Sequence, residues 1–197
     1  DEAGTVTGAA LLALAVWAGI LFCRGRFWFA DQHLSPAAKT PPKGGWPDIA
    51  AVIPARDEAD SIARTVASLF AQDYPGRIDV VVNNAGLHRG GRIVLLTDAD
   101  IAHDPANLRR LVEKAEMENR DLVSLMVRLN CETPWERLLI PAFVFFFQKL
   151  FPFPWVNDPV KRTAAAAGGC MLVRRAALDA AGGIEAIRGR LIDDCAL

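Results

Sequence analysis

The first 23 residues contain the feature that most limits how this chain can fold. The segment Ala3–Cys23 runs without a charged residue. A helix of about 20 residues, rising ~1.5 Å per residue, crosses the ~30 Å hydrocarbon core of a membrane. A buried core helix or a cleaved signal peptide would also be apolar, but a signal peptide begins with basic residues, whereas Asp1 and Glu2 are acidic. We therefore predict a membrane anchor.

The residues after this segment predict its orientation. Arg24 and Arg26 follow directly, and Trp28 is suited to the membrane interface. Because basic residues mark the cytoplasmic end of a span, we expect the N-terminus outside and everything after Arg24 in the cytoplasm. Residues 1–29 are thus predicted to form the anchor and its interfacial flank.

Composition excludes several classes of protein. The formal net charge of −1 over 197 residues gives no whole-chain attraction to nucleic acid. The four cysteines are scattered without CxxC spacing, which argues against a zinc site or a disulfide scaffold and fits a reducing compartment. The histidines do not cluster either, and each is predicted to be a surface or loop residue (His33, His88 and His103).

After a Pro/Gly-rich linker at residues 30–47, apolar runs typical of buried strands alternate with amphipathic helices. This alternation predicts an α/β domain over residues 48–197 with a mostly parallel sheet. Asp57 or Asp60 is the expected cap of the first helix. Strands are predicted at 48–55, 77–82, 92–97 and 121–129, and helices at 56–76 and 104–119.

The connection between the second and third strands is too short for a parallel crossover. Only nine residues, from Asn83 to Gly91, separate them, whereas a crossover usually needs a dozen or more. Either the two strands form a hairpin, or residues are missing from the sequence. We expect a break near Asn83 and Asn84.

A second apolar segment lies at residues 134–156. Its uninterrupted part, Leu138 to Phe147, is too short to span a membrane. Flanking Trp135, Trp155 and Lys149 suit a helix that lies in the membrane interface, and a core helix of the domain is the alternative.

Two pairs of aspartates follow apolar runs, in "LLTDADI" and in "IDDCAL". Together with "AVIPARDEADSI", "SLFAQDYPG" and "AAAAGGCMLVRRAAL", these motifs resemble the family 2 glycosyltransferases, which have the GT-A fold. The stretches "SLMVRLNCETPWERLLIPAFVFFFQKLFPFPWVNDP" and "RTAAAAGGCMLVRR" are most similar to the bacterial hopanoid-biosynthesis-associated glycosyltransferases. The resemblance covers about residues 48–197.

The resemblance implies a nucleotide-sugar donor, typically a uridine-diphosphate sugar, and a Mg²⁺ or Mn²⁺ ion. Carboxylates are hard oxygen ligands that suit such an ion. By resemblance, Asp100 is the metal ligand, and Asp98 contacts the ion or the nucleotide sugar. Pro54, Ala55 and Glu58 match the nucleotide pocket, although Glu58 is also a favourable acid in the first turn of a helix. Two solvated loop aspartates are the alternative for Asp98 and Asp100.

The second acidic pair matches the position of the catalytic base. The resemblance assigns the base to Asp194, beside Asp193, and a positioned carboxylate there could accelerate transfer by ~10²–10⁴-fold. Gly168 and Gly169 match the acceptor-binding segment, although a tight turn would also explain them. Two departures stand out: Asn83 and Asn84 replace an expected acidic pair, and the family's later motifs would lie beyond Leu197.

The leading hypothesis is therefore a membrane-anchored inverting glycosyltransferase of the bacterial inner membrane, with its catalytic domain in the cytoplasm. Its acceptor would be a lipid in hopanoid metabolism. The alternatives are a transferase for another lipid, such as ceramide or polyprenyl phosphate, a transferase for a polysaccharide, or a non-catalytic membrane scaffold. No nucleic-acid partner is expected.

Overall fold

The computed structural model describes residues 2–36, 41–55, 58–82 and 91–187. Asp57, Asn83, Asn84, Asp193 and Asp194 lie outside the described residues. The strands are β1 (Ile49–Ile53), β2 (Ile78–Val82), β3 (Ile93–Thr97), β4 (Leu122–Ser124) and β5 (Cys170–Arg174). The helices are α1 (Glu2–Cys23), α2 (Ile62–Phe70), α3 (Asn107–Met117), α4 (Pro134–Leu150), α5 (Phe153–Val156) and α6 (Arg175–Ala180), and a 3₁₀ helix covers Ile184–Ile187.

The chain divides into two compact units. The first contains Asp1–His33 and Leu129–Ala165, and the second contains Leu34–Arg128 and Ala166–Leu197. The anchor segment and the second apolar segment thus belong to the first unit, whereas all five strands belong to the second.

In the first unit, α1 is long and apolar enough to cross a membrane. The candidate span is Ala3–Cys23, with a mean hydropathy of 2.2 and no residue of its most apolar window buried. The last part of α4 is joined to the end of α1, because Arg24 donates hydrogen bonds to the carbonyls of Lys149 (2.5 Å) and Leu150 (3.1 Å).

The helix α4 exposes its apolar residues to solvent. None of its residues is buried, and seven large apolar side chains are exposed. Its start is fixed by a capping box, in which Thr133 accepts from the Glu136 N–H and Glu136 accepts from the Thr133 N–H. The exposed side chains are Trp135, Leu138, Leu139, Phe143, Phe145, Phe146 and Leu150.

In the second unit, the described strands form one sheet in the order β2-β1-β3-β5-β4. β1 pairs in parallel with both β2 and β3, whereas β5 is antiparallel to β3 and β4. Four strands therefore run in one direction, and the prediction of a mostly parallel sheet is confirmed. The hairpin suggested for the second and third strands is wrong, because β1 lies between β2 and β3.

Helices cover both faces of this sheet. Every residue of β1 is buried, as expected for a strand enclosed on both faces. On one face β1, β3 and β5 pack with α2 and α3 in the main core, and on the other a smaller cluster packs around Leu178 of α6. Leu34 and Trp46, from the predicted linker, also pack against the main core.

Two local predictions differ from the structure. The N-cap of α2 is Ser61, which makes no capping bond with its side chain, so Asp60 is not the cap. The strand predicted at residues 121–129 is limited to three residues, because pairing with β5 extends only from Leu122 to Ser124.

Candidate active site

The strand directions bring three of the predicted motifs to one end of the sheet. β1 and β3 run in parallel with Val52 opposite Leu96, so the residues that follow these strands lie at the same level. β5 runs the other way with Cys170 opposite Thr97, so the residues that precede it reach the same place. We call this place the carboxyl end of the sheet. Ligands of open α/β sheets bind outside the carboxyl ends of the strands.

The two aspartates of "TDAD" lie at the carboxyl end of the sheet, in the connection from β3 to α3. We call this connection, residues 98–106, the carboxylate loop. Asp98 and Asp100 are both exposed, while Ala99 between them is 5% exposed. The two aspartates are thus exposed residues of the loop on either side of a buried alanine.

The carboxylate loop is held by a row of polar side chains on α2 and directly after it. Thr65 donates to the Ala99 carbonyl at 2.6 Å, and Ser68 accepts from the His103 N–H at 3.0 Å. Gln72 donates to the Asp104 carbonyl at 2.8 Å. Residues 65, 68 and 72 recur at helical spacing, so one face of this segment fixes the loop along its length.

A chain of polar groups that are buried or partly buried ties the loop to the end of β3, to the turn before β5 and to the start of α3. Thr97 donates from Oγ1 to the Gly169 carbonyl at 2.9 Å, and the same Oγ1 lies 3.0 Å from Nε2 of His103. Nδ1 of His103 lies 3.1 Å from Nδ2 of Asn107, the first residue of α3. Burial lowers the pKa of His103 below its ordinary value, because desolvation disfavours the charged ring.

The predicted acceptor-binding segment lies directly against the predicted metal-binding segment. Gly168 and Gly169 form a turn before β5, and the Asp98 N–H donates to the Gly169 carbonyl at 3.4 Å. A Cβ at Gly169 would lie 2.9 Å from Cγ2 of Val127 and 3.6 Å from Oδ2 of Asp98. Glycine is therefore required here for packing space, whatever else it does.

Cys170 follows this turn and is buried. Burial raises the pKa of its thiol to about 11, so the group is protonated at neutral pH. Its Sγ accepts a long hydrogen bond (3.8 Å) from Asn107. These properties fit a packing role, since a reactive cysteine is a thiolate.

The predicted nucleotide-pocket residues follow β1 at the same end of the sheet. Pro54 is exposed and Ala55 is half-buried. Glu58 is exposed, and its Oε2 accepts a hydrogen bond from the Ser61 hydroxyl at 2.6 Å. The structure thus brings Pro54 to the level of Asp98, on the neighbouring strand. The site predictions for Asp193 and Asp194 concern positions outside the described residues.

Sequence reasoning missed the residues that hold the carboxylate loop. His103 is indeed a loop residue, but it is 7% exposed and not on the surface. The polar positions Thr65, Ser68 and Gln72 were a readable signal, because they form a stripe beside the apolar face of the same helical segment. The partners of His103, in contrast, come from three separate elements.

Comparison with solved structures identifies the class of fold. The chain resembles the mannosyltransferase PcManGT from Pyrobaculum calidifontis, solved in complex with GDP-Man and Mn²⁺, with a TM-score of 0.58 and 18% sequence identity. The similarity covers 95% of this chain and 60% of that one. The chain therefore has a glycosyltransferase fold and spans about three fifths of the length of that enzyme.

The family follows from the sequence match. The family model of glycosyl transferase family 21 matches residues 88–197, more than half of the chain. The chain belongs to glycosyl transferase family 21. The expectation of a glycosyltransferase is confirmed, although the resemblance named family 2. No curated protein matches the chain.

Proposed function

We propose that this protein is a membrane-anchored, metal-dependent, inverting glycosyltransferase that moves a sugar from a nucleotide-sugar donor to a lipid acceptor. One observation supports this most strongly. This chain belongs to a glycosyltransferase family, and in it the predicted metal-binding and acceptor-binding segments are in contact. The Asp98 N–H of the carboxylate loop donates to the carbonyl of Gly169 in the predicted acceptor-binding segment. Donor and acceptor would then meet at the carboxyl end of the sheet.

The donor set of the carboxylate loop fits a divalent cation. No group of three or more His, Cys, Asp or Glu residues suited to a metal occurs among the described residues. Mg²⁺, however, is commonly held by one or two carboxylates together with substrate phosphates and water. Asp100 would bind the ion directly, and Asp98 would contact the ion or the sugar. The bound ion would neutralise the charge that develops on the leaving diphosphate.

The choice of donor and metal draws on the structural neighbour. That mannosyltransferase was solved with GDP-Man and Mn²⁺, which supports a nucleotide-sugar donor and Mn²⁺ or Mg²⁺ for this chain. The family resemblance favours a uridine-diphosphate sugar. Pro54, Ala55 and Glu58 would border the nucleotide, because they follow the strand next to β3.

The attacking hydroxyl would be activated by the second acidic pair. Asp194 would accept its proton and Asp193 would position the acceptor. Attack from the face opposite the leaving diphosphate needs one base and no protein nucleophile, so the anomeric configuration would invert.

Membrane attachment is supported by the first unit. The helix α1 could span a bilayer, and α4 exposes aromatic side chains that suit the membrane interface. Nζ of Lys149 lies over the rings of Trp17 (5.3 Å) and Phe146 (4.8 Å), so the cation is at the boundary of these apolar surfaces. A membrane-bound enzyme would meet a lipid acceptor where that lipid resides, in our proposal a hopanoid lipid of the bacterial inner membrane.

The test is transfer by the purified full chain with Mn²⁺. UDP-sugars and GDP-sugars would each be offered with a hopanoid lipid, ceramide and polyprenyl phosphate in separate reactions. We expect inverted product on the hopanoid lipid and none after Asp100→Asn. Asp179→Asn is the matched control, because Asp179 is an exposed aspartate on α6. This helix follows β5 at the end of the sheet opposite to the carboxylate loop.

The outcomes separate the parts of the proposal. Product on ceramide or polyprenyl phosphate alone would refute the hopanoid acceptor but not the transferase. Full activity of Asp100→Asn would refute the metal site. Failure to transfer or hydrolyse any nucleotide sugar would favour the non-catalytic scaffold.

A further inference from the structure

The hydrogen-bond partners of His103 assign a protonation state to its ring. The Thr97 hydroxyl has one proton, which it donates to the Gly169 carbonyl. Toward His103 the same oxygen can only accept, so Nε2 of His103 must carry a proton. On the other side of the ring, the Asn107 amide is placed with Nδ2, a donor, toward Nδ1, and in this arrangement Nδ1 accepts. The ring is neutral, with its proton on Nε2.

The hydrogen bonds therefore run in one direction through four residues. They begin at the Asn107 amide at the start of α3, pass through His103 and Thr97, and end at the Gly169 carbonyl. The lowered pKa of His103 agrees with a ring that stays neutral. A protonated ring would instead direct an N–H toward the Asn107 amide group.

This chain of hydrogen bonds runs past both ends of the segment that carries the two predicted metal ligands. Thr97 immediately precedes Asp98, and His103 lies three residues beyond Asp100. Gly169 also accepts from the Asp98 N–H. The hydrogen bond between Thr97 and the His103 imidazole thus joins the two ends of the segment that carries both aspartates. The same chain of hydrogen bonds reaches Gly169, in the turn of the predicted acceptor-binding segment.

We propose that His103 is a positioning residue for the transfer reaction: its neutral imidazole sets the carboxylates of the loop relative to the turn at Gly169. The inference rests on the proposed function, since it assigns the loop to the metal and the donor diphosphate. Two carboxylates repel each other, so a backbone that already holds them together lowers the cost of sharing one cation. Groups that orient metal ligands in this way affect metal affinity or activity by 10–100-fold when they are changed.

The test uses Thr97→Val, which keeps the shape of the side chain and removes the hydroxyl that connects His103 to Gly169. Thr97→Ser keeps the hydroxyl and is the rescue variant. Tyr74→Phe is the matched control, because it removes another buried hydrogen bond of the same unit (Tyr74 hydroxyl to Pro47 carbonyl, 2.6 Å) before β1, at the opposite end of the strands.

Binding of UDP and GDP would be measured by calorimetry across a range of Mn²⁺ concentrations, and turnover would be measured with the full chain. We expect Thr97→Val to raise the Mn²⁺ concentration needed for nucleotide binding by about tenfold or more, and to lower kcat. Thr97→Ser should remain close to wild type. Tyr74→Phe should lose thermal stability but keep the wild-type Mn²⁺ requirement.

A second measurement does not depend on any variant folding. In the wild-type chain labelled with ¹⁵N-histidine, NMR should show His103 in the neutral Nε2–H form at the pH of the assay and also near pH 6, where a histidine of ordinary pKa is mostly protonated. A His103 ring that is protonated, or that carries its proton on Nδ1, would overturn the proposal. So would a Thr97→Val protein with the wild-type Mn²⁺ requirement and kcat. If wild type itself binds no nucleotide with Mn²⁺ and transfers no sugar, the proposed function fails, and the role of His103 fails with it.

Discussion

Replacing Gly169 by alanine separates the two explanations for this glycine, acceptor approach and packing space. An added Cβ would lie 2.9 Å from Cγ2 and 3.1 Å from Cγ1 of Val127. Val127 is partly buried against the main core and β-branched, so it cannot easily turn away. The backbone of Gly169 does not have a positive φ, so the strain comes from this contact alone.

The contact sets the size of the effect. Overpacking of this kind costs about 1–3 kcal/mol, and the loss of chain freedom in the unfolded state offsets about 0.4–1 kcal/mol. The middle values of these ranges leave a net loss of about 1.3 kcal/mol, which should lower the Tm by roughly 3–5 °C for a chain of this length. Thermal unfolding of Gly169→Ala against wild type measures this change.

The double variant Gly169→Ala/Val127→Ala decides between the explanations. Removing the Val127 methyl groups should restore part of the stability, with a coupling of about 0.5–3 kcal/mol. If Gly169 also admits the acceptor, turnover should stay low in the double variant although stability recovers. An unchanged Tm for Gly169→Ala, or no coupling with Val127→Ala, would refute the packing argument.

Three further predictions concern other parts of the chain. Asp194→Asn should lower kcat by ~10²–10⁴-fold with little change in donor affinity, and Asp193→Asn should lower kcat less. Steady-state kinetics that show the same loss of kcat in both variants would contradict the assignment of the base to Asp194. Burial lowers the pKa of His103, so the unfolded chain takes up a proton near pH 6.5 that the folded chain does not. The free energy of unfolding should therefore decrease as the pH falls below about 6.5. His103→Gln should lose that part of the pH dependence in denaturant titrations. Leu138→Glu should weaken liposome binding, whereas Val160→Glu, at an exposed apolar residue outside the helix, should not.

Elements whose signal is local could be predicted from the sequence. β1 and β3 are apolar runs buried on both faces, and their periodicity and length were sufficient to find them. The capping box at Thr133 and Glu136 also has a local signal, the pattern T-x-x-E before an apolar run. The end of β4 could not be predicted from its own residues, because it is set by how far β4 pairs with β5.

Features that depend on the order of strands could not be predicted from spacing. The short segment between β2 and β3 left a hairpin and missing residues as alternatives, and the hairpin is excluded only by the strand order, in which β1 lies between β2 and β3. His103 illustrates the same limit within the candidate site. Its partner Ser68 comes from α2, and Gly169, which accepts from the same Thr97 hydroxyl, is brought there by the pairing of β5 with β3, so the sequence shows an isolated histidine where the structure has a buried hydrogen-bonded one.

A crystal structure of the full chain with Mn²⁺ and a nucleoside diphosphate tests the central claim most directly. Our account predicts an anomalous Mn²⁺ signal within coordinating distance of the Asp100 carboxylate, with the diphosphate bound at the carboxyl end of the sheet beside Gly169. Mn²⁺ and nucleotide bound elsewhere, with Asp98 and Asp100 contacting neither, would contradict it.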